Sequence, residues 1–277
     1  MFPTVEPLGA GLEHNAYLLN GDLVVRFRRA PAADAEPPAP AAGTVGGGVG
    51  VDVGAEARLL EFVAGISPVP VPHPIFADPR GGCLAWPRLP GVPLIAVEPR
   101  PDVAAQLGAL LAALHAVPPE RVAGFAQVDD APPEEWLAEA RELWPSVAER
   151  VPAAYRAAVA AFLATPPPEP APVLVFSHQD LGIEHVLVDP GTGTVTGVID
   201  WSDAAVGDPA RDYGLILRDL GPAALAAASP PEDPAAVQRV WFHARCGLVA
   251  DLAYGIETGR HEYATKSLTA LSWLFQP

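Results

Sequence analysis

Over the first thirty residues, apolar and polar positions alternate in the short runs VEPLGAG, AYLLNG and DLVVRFRR, the period-two texture of strands that bury one face. Asn20-Gly21 separates the last two runs and predicts a hairpin, because both residues tolerate the positive φ that a tight turn requires. From Pro31 to Gly54 the chain is rich in Pro, Ala and Gly and poor in large apolar residues. Such a segment has too little to bury to offset its ordering entropy, so residues 31–54 are expected to form a mobile loop. The period then changes: in AEARLLEFVAG, Leu59, Leu60, Phe62 and Val63 share one helix face. PVPVPHPIFADPRGGCLAWPRLPGVPL reads as extended segments joined by Pro and Gly turns, with CLAWPRL as a strand. Helical texture returns in DVAAQLGALLAALHAV, in PPEEWLAEARELWPSVAERV and in a third helix from Tyr155 to Leu163. The pattern therefore predicts an α+β chain, with a β-rich part over 1–100, a helix-rich part over 101–277 and a boundary near Pro99 to Asp102.

The Pro-rich run from Thr165 to Pro172 leads into VLVFSHQDLGIEHVLVDPGTGTVTGVIDW, which reads as strand, polar turn, strand, glycine turn, strand. Asp180 lies in the polar turn and Asp200 directly follows the last strand, so both acids are expected at the same edge of one small sheet. Phosphoryl transfer from a nucleotide needs such a pair: one carboxylate takes or positions the hydroxyl proton, while other ligands hold a divalent ion against the phosphates. Four residues separate Asp180 from His185, the interval between catalytic Asp and metal-ligand Asn in a kinase catalytic loop. Asp189 reads as a turn former.

SHQDLGIEHVLVD and GVIDWSDAAVGDPARDYG, with weaker matches over most of the chain, resemble the aminoglycoside phosphotransferase family, a branch of the protein-kinase-like fold that includes macrolide phosphotransferases. The resemblance implies two lobes: a small β-rich nucleotide-binding lobe, and a larger helical lobe that carries the catalytic hairpin and binds substrate. It implies Asp180 as base, His185 and Asp200 as magnesium ligands, and ATP or GTP as phosphoryl donor. His185 stands where Asn is commoner; an imidazole binds a divalent ion through nitrogen, whereas magnesium prefers oxygen. His178 is expected to brace the turn, and Asp208 and Asp212 to steady the catalytic loop. Asp203 reads equally as a substrate-facing or a solvated acid.

On the nucleotide side, GAGLEHNAY supplies Gly9 and Gly11 for a turn over the phosphates. Arg26 in VVRFRR is the expected phosphate cation, with Arg28 as the alternative two residues on. Glu56 is either its partner or a solvated first-turn acid. Backbone groups of Trp86 and Arg88, in the connection AWPRLPG, are expected to hold the purine; Pro87 between them lacks an N–H.

Composition narrows the partners. Half of the 277 residues are hydrophobic, enough for a sizeable core, yet Pro, Gly or polar residues break every apolar stretch before the roughly 20 residues of a membrane span. The start of the chain shows no basic-then-apolar secretion signal, so a cytoplasmic location is expected. A net charge of −16 argues against nucleic acid and suits a cationic partner or solubility alone. Cys83 and Cys246 lack metal-ligand spacing and read as buried free thiols. Lys266 is the only lysine. Trp241, Phe242, Tyr254 and Tyr263 are expected as core or pocket wall, and Glu184, Asp203, Asp251 and Glu257 as acids near the acceptor opening. The expected acceptor is an antibiotic hydroxyl, with aminoglycosides first, macrolides second and cationic peptide antibiotics third. A metabolic kinase for a sugar, choline-like compound or amino alcohol is the alternative within enzymes, and a silent kinase-like binding protein the alternative outside them.

Overall fold

The computed structural model describes residues 3–10, 14–28, 52–98 and 101–276; most of the expected 31–54 loop, like Gly11, lies outside the described residues. Strands β1 (Val5–Ala10), β2 (His14–Leu19) and β3 (Leu23–Arg28) form antiparallel neighbours. Between β2 and β3, Asn20 and Gly21 take φ of +53° and +83°, the left-handed turn expected of that pair. Helix α1 (Val53–Ala64) begins two residues before the end predicted for the loop, because the Asp52 carboxylate caps it by accepting from the Gly54 N–H at 3.1 Å. Strands β4 (Phe76–Asp78) and β5 (Cys83–Pro87) complete a sheet of order β1-β2-β3-β5-β4. Its register places Ala16 opposite Arg26 and Arg26 opposite Leu84, so these side chains share the face on which α1 buries Leu59, Leu60 and Val63.

A short strand β6 (Val92–Pro93) leads to α2 (Pro101–His115), whose Leu110, Leu111 and Leu114 are fully buried. Then come β7 (Gln127–Val128), α3 (Pro133–Val147) and α4 (Ala153–Ala164). Residues 173–207 contribute β8 (Val175–Ser177), β9 (Val186–Val188), β10 (Val195–Val198) and β11 (Ala205–Gly207). Helices α5 (Ala210–Ala227), α6 (Pro234–Glu257) and α7 (His261–Leu274) close the fold. In α5 the bend falls at Gly221, φ +84°, followed by Pro222, which cannot continue the ladder. Near the start of α5, Gly214 lets α6 approach: a Cβ there would lie 2.9 Å from the His243 Cβ. No helix among the described residues is long and apolar enough to cross a membrane.

The expectation of one catalytic sheet is corrected. β9 and β10 form a hairpin, but in a three-stranded sheet β10-β9-β6, whereas β8 pairs with β11 in a separate sheet β7-β11-β8. The chain after Asp200 folds back, and Ala205–Gly207 takes the hydrogen bonds of β8 that a simple meander would have given to β9. Asp180 and Asp200 are therefore held from two sheets.

Candidate active site

β8 delivers Ser177, His178 and Gln179 into the interior, where each is almost fully buried. Gln179 adopts φ +67°, turning the chain so that Asp180 projects outward with 36% of its side chain exposed. Such a conformation in a residue other than glycine persists only where its surroundings over-determine it. Here the buried Asp212 carboxylate does so: it accepts from the Ser177 hydroxyl and from the backbone N–H groups of His178 (3.0 Å), Gln179 (3.1 Å) and Leu181 (3.2 Å). Gly207 leaves room for the turned residue, since a Cβ at that position would meet the Gln179 Nε2 at 2.8 Å. Asp208, expected to share the bracing, binds elsewhere: it caps α5 at the Ala210 N–H and pairs with Arg239 and His243 of α6.

His178 joins the two halves of the site. The Asp180 N–H donates to its Nδ1 at 3.3 Å, so the proton sits on Nε2, which donates to the Ile199 carbonyl at 3.1 Å, beside Asp200. Burial lowers its pKa and keeps the ring neutral, against the pull of Asp212. The Trp201 ring packs on it at 4.5 Å. His178 thus braces, as expected.

His185 lies between the two acids. Its Nδ1 donates to the Asp180 carbonyl at 2.9 Å and lies 3.3 Å from the Asp180 carboxylate, which leaves Nε2 facing the Asp200 carboxylate at 3.6 Å. Burial opposes a charge on this ring, but Asp180, Asp200 and Glu184 together outweigh it and raise its pKa to about 9. Asp200, at φ +61°, accepts from the Ser202 hydroxyl at 2.8 Å. Burial pushes its carboxyl up, and His185 and that hydrogen bond pull it below the usual range. Asp180 moves the other way: burial, reinforced by Glu184 and Asp200, raises it against His185. The site thus holds one carboxylate made more basic and one held ionised. Among the described residues no group of three or more His, Cys, Asp or Glu side chains is placed to hold a metal ion by itself.

Arg26 and Glu56 form an ion pair in the cleft between β3 and α1, with side chains 13% and 3% exposed. Glu56 is therefore the partner of the β3 cation and no solvated first-turn acid. Arg28 is exposed at the end of its strand. The Arg26 guanidinium also lies 5.7 Å from the centre of the Trp86 ring. The purine expectation is corrected: the Arg88 N–H donates to the Asp22 carbonyl at 2.7 Å, and Trp86 is registered opposite Val24 on the same side of β5. Alternation along the strand turns the Pro87 carbonyl the opposite way. Gly9, expected in the phosphate turn, lies in β1 at a register shift from Pro7.

Two of the four expected acceptor acids are also corrected. Glu184 and Asp251 each contact Lys266 Nζ at 2.8 Å, inside a buried cluster with Arg218 and Asp219. Burial raises the Glu184 carboxyl, yet Lys266 outweighs it and holds the group below its ordinary range. Asp219 accepts from the Ile183 N–H at 3.2 Å, so the cluster ties the end of the catalytic loop to α5, α6 and α7. Sequence reasoning missed this network; its one signal was the presence of a single lysine in the chain. Glu257 is exposed at the end of α6, and Asp203 is half-buried near Asp180. Phe242 and Tyr263 are buried, as are both free cysteines, Cys83 and Cys246.

Burial, then Asp180, raises the Asp203 carboxyl to about 6 against the pull of Arg211. An acid with a raised folded-state pKa favours folding below its unfolded value, and that contribution is lost as pH rises through the folded one. Asp203→Asn is therefore expected to stabilise the protein by about 1 kcal/mol at pH 8 and to change nothing at pH 4. Paired melting curves check this; an equal shift at both pH values would refute it.

Residues 4–239 match the phosphotransferase enzyme family, APH. Viomycin phosphotransferase of Streptomyces vinaceus is 33% identical over 145 residues, covering 48% of this chain and 49% of that protein. The chain matches about half the length, or less, of the curated relatives found. Among solved structures, the GDP complex of aminoglycoside 2'-phosphotransferase-IIIa superposes with a TM-score of 0.63 at 23% identity, over 97% of this chain and 91% of that one, a likeness of fold. Macrolide 2'-phosphotransferase MphH from Brachybacterium faecium gives 0.58 at 25% identity, over 97% and 91%. The antiparallel N-terminal sheet, the helical C-terminal region, the likeness in fold and the family match over 4–239 agree: this chain belongs to the APH phosphotransferase enzyme family.

Proposed function

We propose that the protein transfers the γ-phosphoryl group of ATP or GTP to a hydroxyl of a small molecule. The observation that carries the reading is the convergence of Asp180, His185 and Asp200, held from two sheets by Asp212 and His178, with the nearest contacts between them at 2.9–3.6 Å. Residues 1–100 form the nucleotide-binding part and 101–277 the catalytic and acceptor part. Asp180 takes the proton from the acceptor hydroxyl as the hydroxyl oxygen bonds to the γ-phosphorus and the bond to the β-phosphate oxygen breaks, releasing the nucleoside diphosphate; the raised basicity of Asp180 suits that role. His185 and Asp200 would hold magnesium: Nε2 is not engaged by the Asp180 carbonyl and faces an ionised carboxylate, and binding there would displace the proton that a pKa of about 9 puts on that nitrogen at neutral pH. When bound, the ion supplies charge neutralisation for the phosphates. Arg26, fixed by Glu56, pairs with phosphate oxygens, and the Pro87 carbonyl, turned away from β3, meets the purine.

The acceptor is an antibiotic hydroxyl, aminoglycosides first, then macrolides, then cationic peptide antibiotics such as viomycin. Similarity to phosphotransferases acting on aminoglycosides, macrolides and viomycin supports the class. The net charge of −16 supports a cationic acceptor, met by Asp203 and Glu257, since Glu184 and Asp251 are neutralised internally. The test is a panel: protein, magnesium and ATP or GTP with members of these classes and with small amino alcohols, read by product mass. Gain of one phosphate by an antibiotic is the expected result. Phosphorylation confined to amino alcohols would refute the antibiotic reading, and no transfer to any acceptor would refute the activity.

A further inference from the structure

His14 opens β2, the first described residue after the glycine-containing turn. It is registered opposite Arg28, with Ala16 opposite Arg26, so alternation places the His14 ring on the same sheet face as Arg26. Its Nε2 is buried and has no hydrogen-bond partner among the described residues. Buried polar atoms in native folds are paired, so a buried ring nitrogen with no partner among the described residues calls for one that the protein itself does not supply there. Burial, then Arg26, lowers its pKa to about 4, while Asp200 pulls the other way; the ring is neutral at physiological pH and carries one N–H. Its charged neighbours identify the missing partner. With a cation on one side and a magnesium-binding carboxylate across the cleft, the group between them is oxygen-rich and anionic.

We infer that His14 is a positioning residue whose Nε2–H donates to a phosphate oxygen of the donor nucleotide, between Arg26 and Asp200. The inference rests on the donor cleft proposed above. It explains why an imidazole buried beside Arg26 has no hydrogen-bond partner at Nε2 among the described residues: the phosphate chain supplies it.

The test compares wild type, His14→Phe, His14→Leu and His14→Gln by calorimetric titration with a nucleoside triphosphate, using whichever of ATP and GTP the wild type binds, and with its nucleoside. Phe keeps the ring without a donor, Leu removes both at smaller volume, and Gln returns an N–H near the Nε2 position. Loss of a hydrogen bond to a charged group predicts triphosphate binding weaker by roughly tenfold or more in the Phe and Leu variants. Nucleoside affinity should hold, and Gln should recover most of the loss. Unchanged triphosphate affinity in either non-donor variant overturns the inference, as does equal weakening of triphosphate and nucleoside. A wild type that binds neither nucleotide overturns the donor cleft itself and the inference with it.

Discussion

Asp180→Asn is expected to lower the turnover number by about 10²–10⁴-fold, the typical contribution of a general base, while nucleotide affinity stays within about twofold of wild type. Asparagine preserves the shape of the side chain, and the loop-holding contacts belong to the backbone: the N–H to His178 Nδ1 and the carbonyl to His185 Nδ1. What is lost, on the proposed mechanism, is the proton acceptor. In the wild type, burial raises the Asp180 carboxyl, so the rate climbs with pH as that group ionises; the acidic limb disappears from the variant's profile. A second readout is independent of activity. Asp180 is the first of the carboxylates that raise His185 toward about 9, so its neutralisation lowers the His185 pKa in an NMR titration of the metal-free protein. Wild-type turnover in the variant would remove Asp180 from the mechanism, and lost nucleotide binding would make its role structural.

The elements whose hydrophobic period is local were legible before the fold was known. Alternation in LVVRFR put Arg26 and Arg28 on one strand face and left the choice between them open; the fold decides it, with Arg26 paired to Glu56 and Arg28 exposed at the strand end. Pairing between strands was less legible, because nothing in VLVFSH distinguishes β9 from β11 as its partner; the choice is made by the chain reversal after Asp200. Backbone direction was hidden for a related reason. Whether the Arg88 N–H faces the cleft or the Asp22 carbonyl depends on a register with β3 that residue identity does not encode.

Charge was the other source of error. Glu184 and Asp251 have the residue types of a cation-binding rim, and only packing α5, α6 and α7 together shows Arg218 and Lys266 set between them. Buried acids are sustained by such partners, so an acid's role depends on which helices meet. Asp212 is the instructive contrast. Its bracing role was expected, but not how many groups depend on it.

Asp212→Ala is the substitution expected to cost most stability. One carboxylate serves the Ser177 hydroxyl and three backbone N–H groups in an interior position with no solvent exposure. A buried donor left without its acceptor costs about 1–3 kcal/mol. With several orphaned together, a loss of roughly 4–5 kcal/mol follows even after partial relaxation. In a chain of this size that corresponds to a melting midpoint lower by roughly 7–9 °C. Ser177→Ala removes the hydroxyl's bond to Asp212 and its 3.2 Å contact with His115 Nε2, and is expected to cost about 1–2 kcal/mol. The difference between the two variants therefore isolates the backbone clamp. The clamp also holds Gln179 at φ +67°, a conformation that relaxes once its N–H is released, turning Asp180 away from His185. Activity at a temperature where the variant remains folded should then fall with the nucleotide affinity little changed, although Asp212 touches no substrate. Thermal melting with parallel kinetics decides the matter: a midpoint within a degree or two of wild type would show that the catalytic loop holds its shape without this carboxylate.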